Sequence, residues 1–270
     1  MNKKLLSAPF IFWSVLFIIV PLCMVFYYGL TDKNGAFTLE NVAAIATAEH
    51  SKALWEALKL SVVSTIICLL LAYPLAMILA NMNKKQNSFI VLIFILPMWM
   101  NFLLRTLAWQ TLLEKTGVIN NILAMLGLPA LNIINTPGAI ILGMVYNFLP
   151  FMVMPLYNVL VKIDKNVINA ARDLGANSVQ TFCKIIFPLS LPGMVSGITM
   201  VFVPALTTFV ISKMLGGSKI LLIGNVIEQE FTQTGNWNLG SGLSIVLMLF
   251  IIVNMVLSAV TDKEGEVSIL

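Results

Sequence analysis

The feature that most restricts this chain is a series of apolar runs, each about as long as a membrane is thick, separated by short polar stretches. A hydrocarbon core takes roughly 20 helical residues to cross, and inside it every backbone amide must bond within its own segment. Runs of this length meet both demands only as helices. The sequence therefore predicts an all-α membrane protein of about six spans, near 8–30, 60–80, 89–109, 138–161, 193–212 and 239–260. Composition agrees, with 59% apolar and 10% charged residues, where a soluble domain has about 25% charged. The first run is read as a retained span, because a signal peptide has a shorter apolar region and a small-residue cleavage site.

Six spans put both termini on one side. That side carries nine Lys and Arg, including Lys3, Lys4, Lys84, Lys85 and Arg172, against six on the other, with Arg105 inside a run. Basic residues in short loops resist translocation, so both termini and the segment 162–192 are expected in the cytoplasm. Pro74, Pro97, Pro150 and Pro204 fall inside spans, where each removes a backbone hydrogen bond and can kink or hinge a helix. Ala53 to Lys59 reads as an amphipathic lead-in to the second span, and 118–126 as a short amphipathic piece in a loop.

The segment 162–192 is the one long polar interruption late in the chain. Asp164 is placed to cap a helix, since its carboxylate can accept from free first-turn amides. Val167, Ile168, Ala171 and Leu174 follow at helical spacing. Gly175 stands where a left-handed residue would end that helix. Asn177 or Ser178 can cap a second short helix bearing Val179, Phe182, Ile185 and Ile186, which Pro188 and Pro192 are expected to stop. The segment reads as two short helices lying along the membrane surface.

The run Asn169-Ala170-Ala171-Arg172-Asp173-Leu174-Gly175, followed by Phe182, Ile185, Pro188-Leu189 and Leu191-Pro192-Gly193, resembles the EAA loop of bacterial ABC importer permeases. Asn169 stands where that motif has Glu. Leu96-Pro97-Met98-Trp99, 105–109, 117–120, Leu215-Gly216-Gly217, Gly224-Asn225-Val226-Ile227, Phe231, Asn236-Trp237 and Gly240 extend the likeness to PotB-type permeases of spermidine/putrescine importers. The resemblance implies a type I (MetI-like) permease fold in a bacterial cytoplasmic membrane. It divides the chain into an N-terminal helix and extracytoplasmic loop (1–52), a transport core (53–261) and a short cytoplasmic tail (262–270). It also implies a PotA-type ATPase dimer, a homologous PotC-type permease and an extracytoplasmic PotD-type polyamine-binding protein as partners. Asn169, Ala170, Ala171, Asp173 and Gly175 would then couple this chain to the ATPase. A permease for another small solute is the alternative.

No nucleotide site is expected on the chain itself. Gly216-Gly217-Ser218-Lys219 lacks the Gly-x-x-x-x-Gly-Lys-Ser/Thr spacing that cradles phosphates, so an enzyme activity and a bound cofactor are not expected. Cys23, Cys68 and Cys183 have no metal-ligand spacing, and His50 is the one histidine. A secondary transporter would call for carboxylates inside spans, and the runs carry none. A membrane-embedded enzyme would call for His-Glu-x-x-His or paired aspartates.

Five residues are candidates for a substrate pathway. Arg105 lies in an apolar run, where a charge costs about 3 kcal/mol or more; it either serves the pathway or reaches to the outer headgroups near Trp109. Trp99 and Tyr146 sit deeper than an interfacial belt and could attract a cation through their ring faces, or simply pack. Glu228 and Glu230, in a Gly-rich stretch expected as a loop (213–238), could receive an amine or be solvated.

Overall fold

The structure is a computed structural model that describes residues 3–82 and 96–267. Helix α1 (Lys3–Ser14) passes through a wide π-turn, Val15–Ile19, into α2 (Val20–Gly29). After a tight turn and α3 (Glu40–Ala43) comes α4 (Ala48–Asn81). Then follow α5 (Phe102–Leu113), α6 (Val118–Met125), α7 (Pro137–Leu160), α8 (Lys165–Asp173) and α9 (Ser178–Thr181). The chain continues through α10 (Phe187–Thr207), α11 (Val210–Leu215), α12 (Ile223–Gln229) and α13 (Trp237–Val267). Among the described residues five helical segments are long and apolar enough to cross a membrane. The expected basic loop with Lys84 and Lys85, and the first part of the expected third span (89–95), lie outside the described residues.

Helices α4, α7 and α10 form the centre, and α13 packs on α10 and on α2. In a bilayer the tails are as apolar as Leu, so close packing and interhelical hydrogen bonds hold helices together. The buried stripe of α4 shows this: Ala53, Ala57, Ser61, Ser64, Cys68, Ala72 and Ala76 are small and face inward. Ser64 Oγ reaches Met144 Sδ of α7 at 3.3 Å. By contrast, the apolar side chains of α1 and the π-turn after it, such as Phe10, Phe12 and Phe17, face outward. The far end of α2 is fixed by two amides. Asn238 Nδ2 donates to Thr31 O at 2.7 Å, and Asn41 Nδ2 donates to the same carbonyl at 2.9 Å.

Three expectations are corrected. The third span was expected to run unbroken to residue 109. Instead a tight turn, Leu96–Trp99, ends before Asn101, whose Oδ1 caps α5 by accepting from Leu103 N at 2.9 Å and Leu104 N at 3.3 Å. Pro188 and Pro192 do not stop the second helix of the polar segment. α9 continues through a π-turn, Phe182–Ile186, into α10 without a break. The wider turn shifts the hydrogen-bond ladder, with Phe187 N–H bonding Phe182 O, and the helix passes the amide-less Pro188 without ending. The stretch 213–238 is not a loop: much of it is helical, in α12 and a π-turn, Glu230–Thr234. Its Asn225 side chain supplies the organisation, as described below.

Candidate functional site

The polar segment hangs from the end of the bundle where α4 and α7 finish. Ile163, Ile168 and Ile186 meet Met77, Ala80 and Leu160 there. Asp164 caps α8 as its sequence position implies, its Oδ1 accepting from Asn166 N at 2.9 Å. Gly175 ends the helix with φ 85°, the left-handed conformation, and no atom lies within 4 Å of the place its Cβ would take. Asn177, rather than Ser178, caps α9: its Oδ1 accepts from Gln180 N at 2.8 Å, and Gln180 Oε1 accepts from Asn177 N at 3.0 Å.

The expected apolar stripe divides. Ile168 and Ala171 are half-buried, whereas Val167 and Leu174 point outward, Leu174 at 89% exposure. Asn169, Ala170, Asp173 and Gly175 are exposed beside them. Val179, 69% exposed, extends the apolar surface onto α9. A short helix is thus presented with apolar side chains outward, at an end of the bundle, on a turn that α9 carries straight into α10.

One link ties this segment to the core that sequence reasoning missed. The Tyr73 hydroxyl lies 2.6 Å from Ser190 Oγ, which also donates to Phe187 O at 2.8 Å. The Tyr73 ring stands edge-on to Phe182, centroids 5.6 Å apart. Tyr73 and Ser190 are 117 residues apart, so no local pattern announces the pair.

The five pathway candidates separate into three places. Arg105 is 7% exposed and lies over the Tyr146 ring, 5.9 Å from its centroid. Trp109 meets the same ring edge-on at 5.2 Å. This arrangement turns Arg105 inward and makes Trp109 a packing partner of Tyr146. Trp99 is 79% exposed on its own turn. Glu228 and Glu230 lie at the opposite end from the polar segment. Glu230 Oε2 accepts from Thr234 Oγ1 at 2.8 Å. Glu228 pairs with Lys213 at 3.3 Å and borders a cleft between α10, α12 and α13.

That end is organised by Asn225, which is buried. Its Oδ1 accepts from Ser212 Oγ and from Leu222 N, and its Nδ2 donates to Phe209 O at 3.0 Å. One amide therefore locks α11 to α12 just beyond the point where α10 stops, at extended Thr208. Gly224 lets α12 approach that point, since a Cβ there would stand 2.7 Å from Thr207 O.

A profile of the family described as "Binding-protein-dependent transport system inner membrane component" matches residues 72–263. The chain belongs to this family. The match takes in the polar segment and the Glu228 cleft together. Among relatives, the permease is 37% identical over 266 residues to the spermidine/putrescine transport system permease protein PotB of Escherichia coli (strain K12), covering 94% of this chain and 97% of that one. It is 36% identical to the PotB protein of Haemophilus influenzae, covering 93% and 91%. Among solved structures, a bacterial ABC transporter involved in the import of the acidic polysaccharide alginate superposes with TM-score 0.79 at 17% identity, covering 98% of this chain and 96% of that one. The inward-facing MetNI methionine ABC transporter gives TM-score 0.57 at 19% identity, covering 80% and 95%. These likenesses give the permease a MetI-like importer fold and make it a multi-pass inner-membrane protein.

Proposed function

We propose that this permease is the membrane-spanning subunit of an ATP-driven importer of polyamines of the spermidine/putrescine class. The observation that carries the substrate class is identity of 36–39% along nearly the whole chain to permeases named for spermidine and putrescine. The fold alone would not choose, since the alginate and methionine transporters have the same one. ATP would be hydrolysed on a separate PotA-type subunit. A PotC-type permease would complete the pathway, and a PotD-type binding protein would deliver substrate from outside.

Coupling would pass through α8 and the turn at Gly175. Leu174 and Val179 offer the apolar surface that an ATPase groove would cover, and Ala170 and Ala171 allow a close approach. Because α9, the π-turn and α10 form one unbroken helix, a push on the turn would move α10 as a lever rather than bend a loop. Tyr73 would carry part of that motion into α4. The polar segment and both termini would face the cytoplasm, where the basic residues of the short loops tend to stay.

The test is reconstitution of the chain with its ATPase, partner permease and binding protein in vesicles. Uptake of radiolabelled spermidine or putrescine that requires ATP supports the reading. ATP-dependent uptake of a different solute, with none of polyamine, would overturn the substrate class.

A further inference from the structure

The cleft between α10, α12 and α13 has a composition that the helix packing does not explain. It is an open groove of about 430 Å³, a volume within the range of small-molecule sites. Phe209, Ile227, Phe231, Leu247, Met248 and Ile251 make its walls apolar, and Glu228 stands at its border. The two oxygens of that carboxylate differ. Oε1 receives Lys213 Nζ at 3.3 Å and Thr232 Oγ1 at 3.3 Å. Oε2 is buried and has no hydrogen-bond partner. A desolvated carboxylate oxygen without a donor is costly and is normally satisfied.

We propose that Glu228 and this cleft bind a soluble alkyl diamine, one ammonium donating to the Glu228 carboxylate once the partly exposed side chain turns Oε2 toward the cleft, and the methylene chain lying along Phe231, Leu247 and Met248. The proposal rests on the polyamine reading given above and assigns it a place on this chain. An ammonium brings three donors to an oxygen that has no hydrogen-bond partner, on a carboxylate whose other oxygen Lys213 already pairs. The Phe231 ring can attract the same cation through its face, and its edge-on contact with Trp237, centroids 5.5 Å apart, holds it in place. A hard metal ion fits poorly, because it needs six or more oxygens and these walls are largely hydrocarbon. Lys213 already shows the geometry, with an amine held against the other oxygen of the same carboxylate.

The test is equilibrium dialysis of radiolabelled 1,4-diaminobutane against the assembled importer in phosphatidylcholine nanodiscs, whose headgroup has no N–H donor. Wild type should bind above protein-free discs, and 1,4-butanediol should not compete. Glu228→Gln should weaken binding about tenfold, the loss expected for one charge-assisted hydrogen bond. Lys213→Met removes the cation that shares the carboxylate and should tighten binding; weaker binding by this variant at an unchanged melting temperature would overturn the site. Equal binding by wild type and Glu228→Gln, or no binding by wild type, would overturn the site. So would displacement of the diamine by added phosphatidylethanolamine, which would assign the ammonium to a lipid. Uptake separates the two claims. Unchanged polyamine KM in Glu228→Gln removes the site and leaves the importer standing, while wild type that transports no polyamine removes the importer reading and dialysis still decides the site.

Discussion

The hydroxyls of Tyr73 and Ser190 lie 2.6 Å apart and join the last third of α4 to the start of α10. Both side chains belong to helices of the central packing, and Tyr73 also abuts Phe182 in the π-turn. The hydroxyl pair therefore ties the polar segment to α4 in addition to its covalent links to α7 and α10 and the packing of Ile163, Ile168 and Ile186. Tyr73→Phe keeps the ring and removes the hydroxyl link. Ser190 retains its bond to Phe187 O, so no buried donor is stranded. The expected stability loss is about 1 kcal/mol, the usual net worth of one hydrogen bond. Under the coupling proposal, substrate uptake per ATP hydrolysed should fall while ATPase activity persists. A thermal melt in detergent and paired uptake and ATPase assays read both numbers; an unchanged uptake-to-hydrolysis ratio would remove Tyr73 from coupling.

Gly175 allows a cleaner separation of backbone from surface. Its φ of 85° costs a β-branched residue strain of roughly 1–2 kcal/mol, while the space around it is open. Gly175→Val should abolish uptake with membrane insertion intact. Gly175→Asn should retain much of the activity, since Asn tolerates the left-handed conformation. Should Asn be as inactive as Val, the defect lies in contact with a partner, not in the turn.

Much of this architecture was legible because bilayer length and helix capping act locally. Asp164, Gly175 and Asn177 each declare a helix end through their own chemistry, and each does so in the structure. The family likeness rested on the same local runs. What stayed hidden depends on partners distant in sequence. Tyr73 reads as one more aromatic in an apolar run until Ser190 is beside it. The continuity of α9 into α10 was obscured because Pro188 normally signals a stop, and a π-turn cannot be anticipated from residue type. Asn101 was the readable signal that was missed, an Asn directly before Phe-Leu-Leu-Arg.

Asp32 gives the chain a pH-sensitive turn outside the spans. The Ala36 N–H, 2.8 Å from Oδ1, holds its carboxyl below the usual carboxylate value, with help from Asn34 N–H at 2.8 Å. The sign follows from linkage: a carboxyl whose folded value is depressed adds stability above its ordinary pKa, about 3.9, and loses it as pH falls through the lowered folded value. The protection factors of the Asn34 and Ala36 amides, taken against the intrinsic exchange rate at each pH, should therefore be high at neutral pH and fall in acid. In Asp32→Asn the acid step should vanish. Persistence of that step in the variant would assign it to another group.

Gly224 supports the opposite end. The Cβ of an alanine would stand 2.7 Å from Thr207 O and 3.0 Å from Thr208 O, both backbone atoms that cannot swing aside. Gly224→Ala must therefore displace α12 or the end of α10, at a cost of about 1–3 kcal/mol for an overpacked contact. The displacement acts on the Asn225 lock, whose bond to Phe209 O is 3.0 Å long, and on the cleft that Gly224 and Glu228 both line. The melting temperature should fall, and uptake should fall with it even where the ATPase still assembles. Asn225→Ala removes the lock without the clash and strands the Leu222 amide, so it should reproduce the loss. Two variants with wild-type melting temperatures would show that α12 is held in place by other contacts.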